Sequence, residues 1–451
     1  MMPIDSLLAC PRCDAALSRS AQGITCTSCR IDFPEPDGVP WLFAEPDATM
    51  TEWHNRWQHV IAHSQRDARQ LGAAAKAAKR ASTRKRLQHQ GEAHTTYVKQ
   101  LQALLAPLAL TSSANLESFV ALRTRLPQQQ GLTSYAANLF RDWCWGDAEN
   151  AAALAAVTNA VNGERPLRVL VLGAGAGRLA YDLHQLLNPE MTVALDNNPL
   201  LIYALNRFAA GKTLRLMEFP LAPKTALDTA LNRTLAAPSA SAPGFIPIIA
   251  DGLRAPFLPE SFDLVLTPWF FDVVGAPPED VAARINHLLT ANGVWINHGS
   301  LAFSGPDPAT HLCLDELTDL LAETGFADIT SSEQELAYMD CPQSRHSRHE
   351  WVVTTRARKA DSAEQPKRHQ ALPEWLVSGR QPVPLSAEFQ SQALSTRIHA
   401  FIMSLIDGKR SLRDMAAVME EQQLMTSKEA EQAIRGFLVK MFDDAQSGRQ
   451  Y

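Results

Sequence analysis

The stretch VLVLGAGAGRLAYDL, residues 169–183, constrains the fold more than any other part of this chain of 451 residues. An unbroken apolar run suits a strand buried on both faces. It leads into Gly173, Gly175 and Gly177, and a helical spacing of apolar residues follows. Glycines placed this way let the backbone turn tightly and approach a ligand at the start of a helix. A turn of this kind commonly holds a nucleotide. Further short apolar runs follow the first strand, Arg168–Leu172. They are Thr192–Asp196, Ile246–Ala250, Asp263–Thr267, Gly293–His298 and Glu350–Thr354, with helical patterns between them. Such alternation predicts an α/β fold with a mostly parallel sheet and helices on both faces, over 166–358. The Ala/Pro/Ser-rich piece LAAPSASAPG (235–244) reads as a surface insertion.

The rest of the chain is organised around this core. Residues 49–165 are rich in Ala, Gln, Leu and Arg and read as helices leading into it. Between 61 and 100 stand nine Lys or Arg and two acids. A solvated helix face and an arm that contacts RNA both fit that excess, and few aromatics are interleaved for base stacking. The net charge of −6 exerts no global pull on nucleic acid or anionic lipid. After a polar linker, RARKADSAEQPKRHQ (356–370), residues 371–451 read as a small helical module. The sequences DGKRS and LMTS supply turn and N-cap chemistry ahead of its helices. This pattern distantly resembles the small winged-helix modules of peptide-chaperone type found in quinone-cofactor biosynthesis.

Seven cysteines are present, and four lie in two tight pairs, CPRC (10–13) and CTSC (26–29). Cys10, Cys13, Cys26 and Cys29 at this spacing can place four thiolates tetrahedrally around one structural Zn²⁺. A segment as short as 1–48 has too little core of its own, so the metal would hold it together. With FPEPDGVPWLF (33–43) behind the second pair, the segment resembles the zinc ribbon that accompanies many RNA and protein methyltransferases. No apolar run approaches the roughly 18 residues a membrane helix needs. LLAC (7–10) lacks the flanks of a lipoprotein signal, and Asp5 interrupts its apolar region. We therefore expect a soluble, cytoplasmic protein without membrane contact.

A glycine turn alone does not choose the nucleotide. Arg178 stands where a dinucleotide fingerprint has its third glycine. Asp196 ends the second strand at the distance where an acid grips ribose hydroxyls. Asp251 ends the third, in IIADGLRAPF. SFDLVLTPWFF (261–271), INHLLTANGVWINH (285–298) and LAETGFADI (321–329) follow. Their order resembles class I methyltransferases, which implies S-adenosylmethionine as cofactor, with Asp251 near its adenine. Asp263 is expected to be structural.

Five stretches point closer. RDWCWGDAEN (141–150), the glycine turn, ALNRF (204–208), LVLTPWFFDVV (264–274) and GVWINHGSLAF (293–303) resemble the carnosine N-methyltransferase family, over about 131–356. That family methylates a ring nitrogen of imidazole. The resemblance implies that Asp272 accepts the imidazole N–H and leaves the other nitrogen facing the methyl donor. It assigns Arg141 and Arg178 to the methionine carboxylate or to the RDW segment. His298, where the family has Leu, reads as a general base or polar contact, or as a satisfied buried histidine. The chain departs from the family at Phe303-Ser304, where a Tyr-His pair is usual, and at RHSRHEW (345–351), where a tyrosine cluster is usual. His346 and His349 could substitute there, or lie on the surface.

The expected activity is N-methylation of a small molecule or peptide bearing an imidazole-like nitrogen. Two alternatives stand beside it. One is an rRNA or tRNA methyltransferase that binds RNA through the ribbon and basic helices. The other is a scaffold with a degenerate core, whose ribbon and C-terminal module engage protein partners.

Overall fold

The computed structural model describes residues 3–20, 23–109, 131–303, 307–364 and 382–447. Contacts divide the chain into two compact units, 1–367 and 368–451.

The first unit opens with three short antiparallel strands, β1 (Ser18–Ser20), β2 (Gly23–Cys26) and β3 (Ile31–Phe33). A two-residue strand, β4 (Trp41–Leu42), follows. Helices α1 (Pro46–Ala77) and α2 (Ala81–Leu104) form a hairpin. Trp53, Trp57 and Ile61 recur every fourth residue and put one face of α1 into the core, against Val98, Leu101 and Leu104 of α2. The basic excess lies beyond that packed stretch. Arg66, Arg69, Lys76, Lys79, Arg80, Arg84 and Lys85 lie along this distal part, most of them exposed. Helices α3 (Ala136–Phe140) and α4 (Asp147–Val161) then bracket a π-helical turn at Arg141–Trp145.

The core runs β5 (Arg168–Leu172), α5 (Arg178–Leu187), β6 (Met191–Asp196), α6 (Pro199–Ala209), a hairpin β7 (Leu214–Glu218) and β8 (Leu231–Leu235), then β9 (Phe245–Ala250). It continues with β10 (Phe262–Pro268), α7 (Pro278–Leu288), β11 (Leu289–Gly299), α8 (Leu314–Glu323), β12 (Phe326–Tyr338) and β13 (Arg348–Lys359). Eight strands make one sheet in the order β12-β13-β11-β10-β5-β6-β9-β4. Neighbours are parallel from β11 to β4, and β13 alone runs against them, between β11 and β12. Counted along the core, the order is third, second, first, fourth, fifth, seventh, sixth. This is the class I methyltransferase arrangement expected above. It differs from the doubly wound dinucleotide fold by its inserted antiparallel strand.

All six expected strands are present. The last is longer, and it corrects the linker. Arg356 to Lys359 belong to β13, because their charges are paired: Arg356 and Arg358 meet Glu164, and Lys359 donates to the Leu289 carbonyl at 2.8 Å. Leu235 ends β8 and is buried, and the rest of the expected insertion, 236–244, is partly or fully exposed and tied to α5 by bonds from Tyr181 and His184 to the Ser239 and Ala242 carbonyls.

The second unit contains α9 (Ala387–Ser404), α10 (Leu412–Glu421) and α11 (Ser427–Ser447) around a core of Ile402, Leu405, Met415, Met419 and Ile434. Ser411 and Asp414 form a capping box at α10, and Thr426 and Glu429 exchange the same bonds at α11. Among the described residues this unit has no strand, so the expected helices are present and no wing accompanies them.

Candidate cofactor and acceptor site

The sheet order reverses between β5 and β10. Ligands of open α/β sheets bind outside the carboxyl ends of strands at such a point. Three turns meet there.

In the glycine turn after β5, each glycine has a different reason. Gly173 has φ +70°, and a Cβ there would lie 2.6 Å from Phe270 Cδ2. Gly177 has φ +86°, and its Cβ would lie 2.4 Å from Leu205 Cδ2, inside the core. Gly175 has φ +59° and nothing within 4 Å, so its open side faces the cleft. Its amide donates to Asp196 Oδ2 at 2.9 Å, and the Asn198 amide donates to Oδ1 at 2.9 Å. Burial pushes the Asp196 carboxyl up from its ordinary range, while the amides of Asn198, Gly175 and Asn197 pull it back. The carboxylate therefore holds the turn in shape and keeps lone pairs at the strand end.

Asp251 follows β9 and caps the next turn, accepting the Leu253 amide at 2.9 Å. Asp263 lies at the opposite end of the sheet and accepts the Leu167 and Arg168 amides, the structural role expected of it.

The RDW segment closes over the glycine turn. Gly146 N–H donates to the Arg141 carbonyl at 2.8 Å, five residues back, and a Cβ at 146 would lie 2.5 Å from that oxygen. The wide turn thus depends on Gly146, and such turns recur at functional sites. Trp143 Nε1 donates to the Ala176 carbonyl at 2.8 Å. Asp142 Oδ2 accepts the Arg178 amide at 3.3 Å, at the N-terminus of α5. The Arg178 side chain donates to Asp182 and to the Asp142 carbonyl and pairs with Asp147. Of the two roles expected for Arg178, these contacts serve the RDW segment. Arg141 bonds Asp142 at 2.8 Å and stands 5.4 Å from the centre of the Tyr338 ring. Burial works against its charge, but Asp142, Tyr338 and Glu149 outweigh burial, so the guanidinium is held more firmly protonated than usual.

Beyond β10 and β11, two turns lock together. Trp269 adopts φ +50° and donates its amide to the His298 carbonyl at 2.7 Å. Leu301 adopts φ +52°. Left-handed backbone at a non-glycine residue costs about 1–2 kcal/mol, and it collects at functional sites. Asp272, only 6% exposed, fixes the second turn by accepting Ser300 Oγ–H and the Ala302 amide through Oδ2, each at 2.9 Å. Ser304, singled out in the sequence, lies outside the described residues.

His298 is 1% exposed at the end of β11. Its Nδ1 bonds Thr354 Oγ1 at 2.9 Å, and its buried Nε2 has no protein partner among the described residues. Burial first, and then the Arg141 charge, push the imidazole down to about 4, so it is neutral at physiological pH. Thr354 satisfies one nitrogen only, so the reading as a satisfied buried histidine holds for half of the ring. His346 and His349 are both exposed, and His349 pairs with Glu335 across the β12–β13 hairpin.

Sequence reasoning missed Phe270, whose ring spans the cleft. A Cβ at Gly252 would lie 2.8 Å from Phe270 Cζ, so the ring touches both the glycine turn and the Asp251 turn. It also passed over Asp142, Trp269 and Tyr338. The strings RDW and TPWFF held Asp142, Trp269 and Phe270, and no quoted stretch held Tyr338.

In the N-terminal segment, the Sγ atoms of Cys10, Cys13, Cys26 and Cys29 lie within 4.8 Å of one another. A tetrahedral zinc with bonds of about 2.3 Å sets its sulfurs about 3.8 Å apart. Cys13 and Cys26 are 3.6 Å apart, so the four thiols fit such an ion.

No family model and no curated protein matches the chain. Solved structures to which it is similar include the following three methyltransferases. A possible histamine N-methyltransferase of Thermotoga maritima is 15% identical, with 49% of this chain and 98% of that one covered and a TM-score of 0.30. A Haemonchus contortus phosphoethanolamine N-methyltransferase, in complex with S-adenosylhomocysteine, is 13% identical, with coverages of 51% and 58% and a TM-score of 0.33. An S-adenosylmethionine-dependent methyltransferase of Methanosarcina mazei is 16% identical, with coverages of 45% and 96% and a TM-score of 0.30. No helix among the described residues is long and apolar enough to cross a membrane.

Proposed function

We propose that this chain is an S-adenosylmethionine-dependent methyltransferase that N-methylates a small molecule or peptide bearing an imidazole-like nitrogen. The observation that supports the reading is that a glycine turn and three carboxylates stand at the carboxyl ends of four adjacent strands. Asp196 ends β6, and Gly175, Asp251 and Asp272 follow β5, β9 and β10; the four strands are adjacent in the sheet. Gly173, Gly175 and Gly177 bring the backbone close to the cofactor. Asp196 accepts the ribose hydroxyls, and Asp251 lies by the adenine. Arg141 meets the methionine carboxylate, while Arg178 braces the RDW segment around it. The bound cofactor supplies an electrophilic methyl group.

The chain's own task is then alignment, which can supply much of a transfer rate. Asp272 Oδ2 is engaged by its loop, so Oδ1 is the oxygen left to accept an imidazole N–H. Neutral His298 offers Nε2 as a second polar contact. The Cys10–Cys13–Cys26–Cys29 site holds a structural zinc with no open position.

The experiment that tests this reading incubates the protein with radiolabelled S-adenosylmethionine and fractionated host extract. Label is expected in the small-molecule or peptide fraction, on an imidazole-like nitrogen. Label confined to RNA refutes the acceptor class, and failure to bind the cofactor refutes the whole reading.

A further inference from the structure

The ribbon is bonded to the core on both sides of the Asp251 turn. On one side, Trp41 and Leu42 pair with Ile249 and Ala250, the two residues before Asp251. The Ile249 amide also donates to the Pro40 carbonyl at 3.0 Å. On the other side stand the residues that immediately precede Cys10. Ala9 N–H donates to the Pro256 carbonyl at 2.9 Å, and Leu258 N–H donates to the Leu7 carbonyl at 2.8 Å. Leu8 bridges Phe257 between those bonds. Leu8, Cys10 and Phe33 share one buried apolar cluster with Ala250 and Phe257. Within the turn, Asp251 is tied to Leu253 and Arg254, and Arg284 holds the Leu253 carbonyl.

The ribbon's own strands have three, four and three residues. Strands so short, in a segment with so small a core, depend on the metal for their order. Trp41 is held independently by Thr49 and the helical core, whereas Leu7–Ala9 run directly into Cys10, so loss of the metal would release the clamp on the far side of the turn.

We infer that the four-cysteine ribbon is a positioning element for Asp251, so that metal binding and adenine recognition are coupled. The inference rests on the S-adenosyl reading above. Coupling between two binding equilibria is reciprocal: each ligand changes the other's affinity by the same factor.

The test titrates the zinc-loaded full chain with S-adenosylhomocysteine and with S-inosylhomocysteine, which has a carbonyl in place of the adenine amino group. The adenine ligand should bind about tenfold more tightly, the worth of one charge-assisted hydrogen bond. Removing zinc with a chelator should abolish that preference and leave the inosine analogue's affinity nearly unchanged. S-adenosylhomocysteine should slow zinc release to a chromogenic chelator. Circular dichroism reports whether the chelated chain keeps its core. If it does not, the zinc-retaining Ala9→Pro variant, which deletes one clamp donor, should lose the same preference. An undiminished preference in the folded chelated chain, or in Ala9→Pro where chelation unfolds the core, overturns the inference alone. No binding of either ligand by the zinc-loaded chain overturns the S-adenosyl reading and the inference with it.

Discussion

Gly175 and Gly177 stand two residues apart in one turn, yet alanine at each should fail differently. Both have positive φ, so either substitution carries about 1–2 kcal/mol of backbone strain. At 177 the new Cβ would also meet Leu205 Cδ2 at 2.4 Å and Cδ1 at 2.6 Å. Leu205 is fully buried, so it can yield only by displacing its packed neighbours. Overpacking of this kind costs a further 1–3 kcal/mol or so, giving about 2–5 kcal/mol for Gly177→Ala. At 175 the Cβ meets nothing within 4 Å, so the strain stands alone. That empty side is where the reading puts the cofactor. Gly175→Ala should therefore lose about 1–2 kcal/mol of stability but bind S-adenosylhomocysteine at least about tenfold more weakly. Gly177→Ala should lose more stability and keep its affinity once folded. Urea denaturation and calorimetric titration of the two variants separate the effects. Adding Leu205→Ala to Gly177→Ala should recover part of the overpacking cost, a coupling read from a double-mutant cycle. Near wild-type affinity in Gly175→Ala, or identical behaviour of the two variants, would refute the assignment of that space to the cofactor.

Other consequences follow from the same geometry. His298 has a folded pKa near 4, below its unfolded value of about 6.5, so the unfolded chain binds the extra proton between those values. Stability from this group is full above about pH 6.5 and is lost as pH falls toward 4; His298→Gln should flatten that part of a pH series of urea melts. Asp272→Asn keeps an oxygen for Ser300 and Ala302 but removes the charge. It should lower kcat/KM for an imidazole acceptor by about 10–100-fold, as for loss of a charged hydrogen bond, with cofactor affinity unchanged. An unaltered kcat/KM would remove Asp272 from the site. Gly146→Ala puts a Cβ 2.5 Å from the Arg141 carbonyl and should cost about 1–3 kcal/mol in urea denaturation. A neutral result there would mean that the π turn does not depend on this glycine.

The core strands were legible because buried parallel strands are written as unbroken apolar runs. RVLVL was read to its limits, and TVALD, DLVLT and GVWINH to within a few residues. β12 was not, because FADITSSEQELAY is an edge strand with one buried residue in thirteen, and exposure erases alternation. The β7–β8 hairpin was hidden too, since LNRTL exposes two of its five side chains and partly exposes two more. The cysteine spacing and FPEPDGVPWLF pointed to the ribbon, which holds the strand Trp41–Leu42. Neither told that this strand extends the central sheet, because two residues cannot name their partner. At the site, the glycines and strand-end acids were legible from spacing. Phe270 was not: a phenylalanine in an apolar string reads as core, and only the backbone places its ring against Gly173 and Gly252.

The most direct test of the central claim is a calorimetric titration of the full chain with S-adenosylmethionine, beside an Asp196→Ala variant. One saturable site per chain is expected, with binding about tenfold or more weaker in the variant, as for loss of a charged hydrogen bond to ribose. No saturable binding, or equal binding by both proteins, would contradict it.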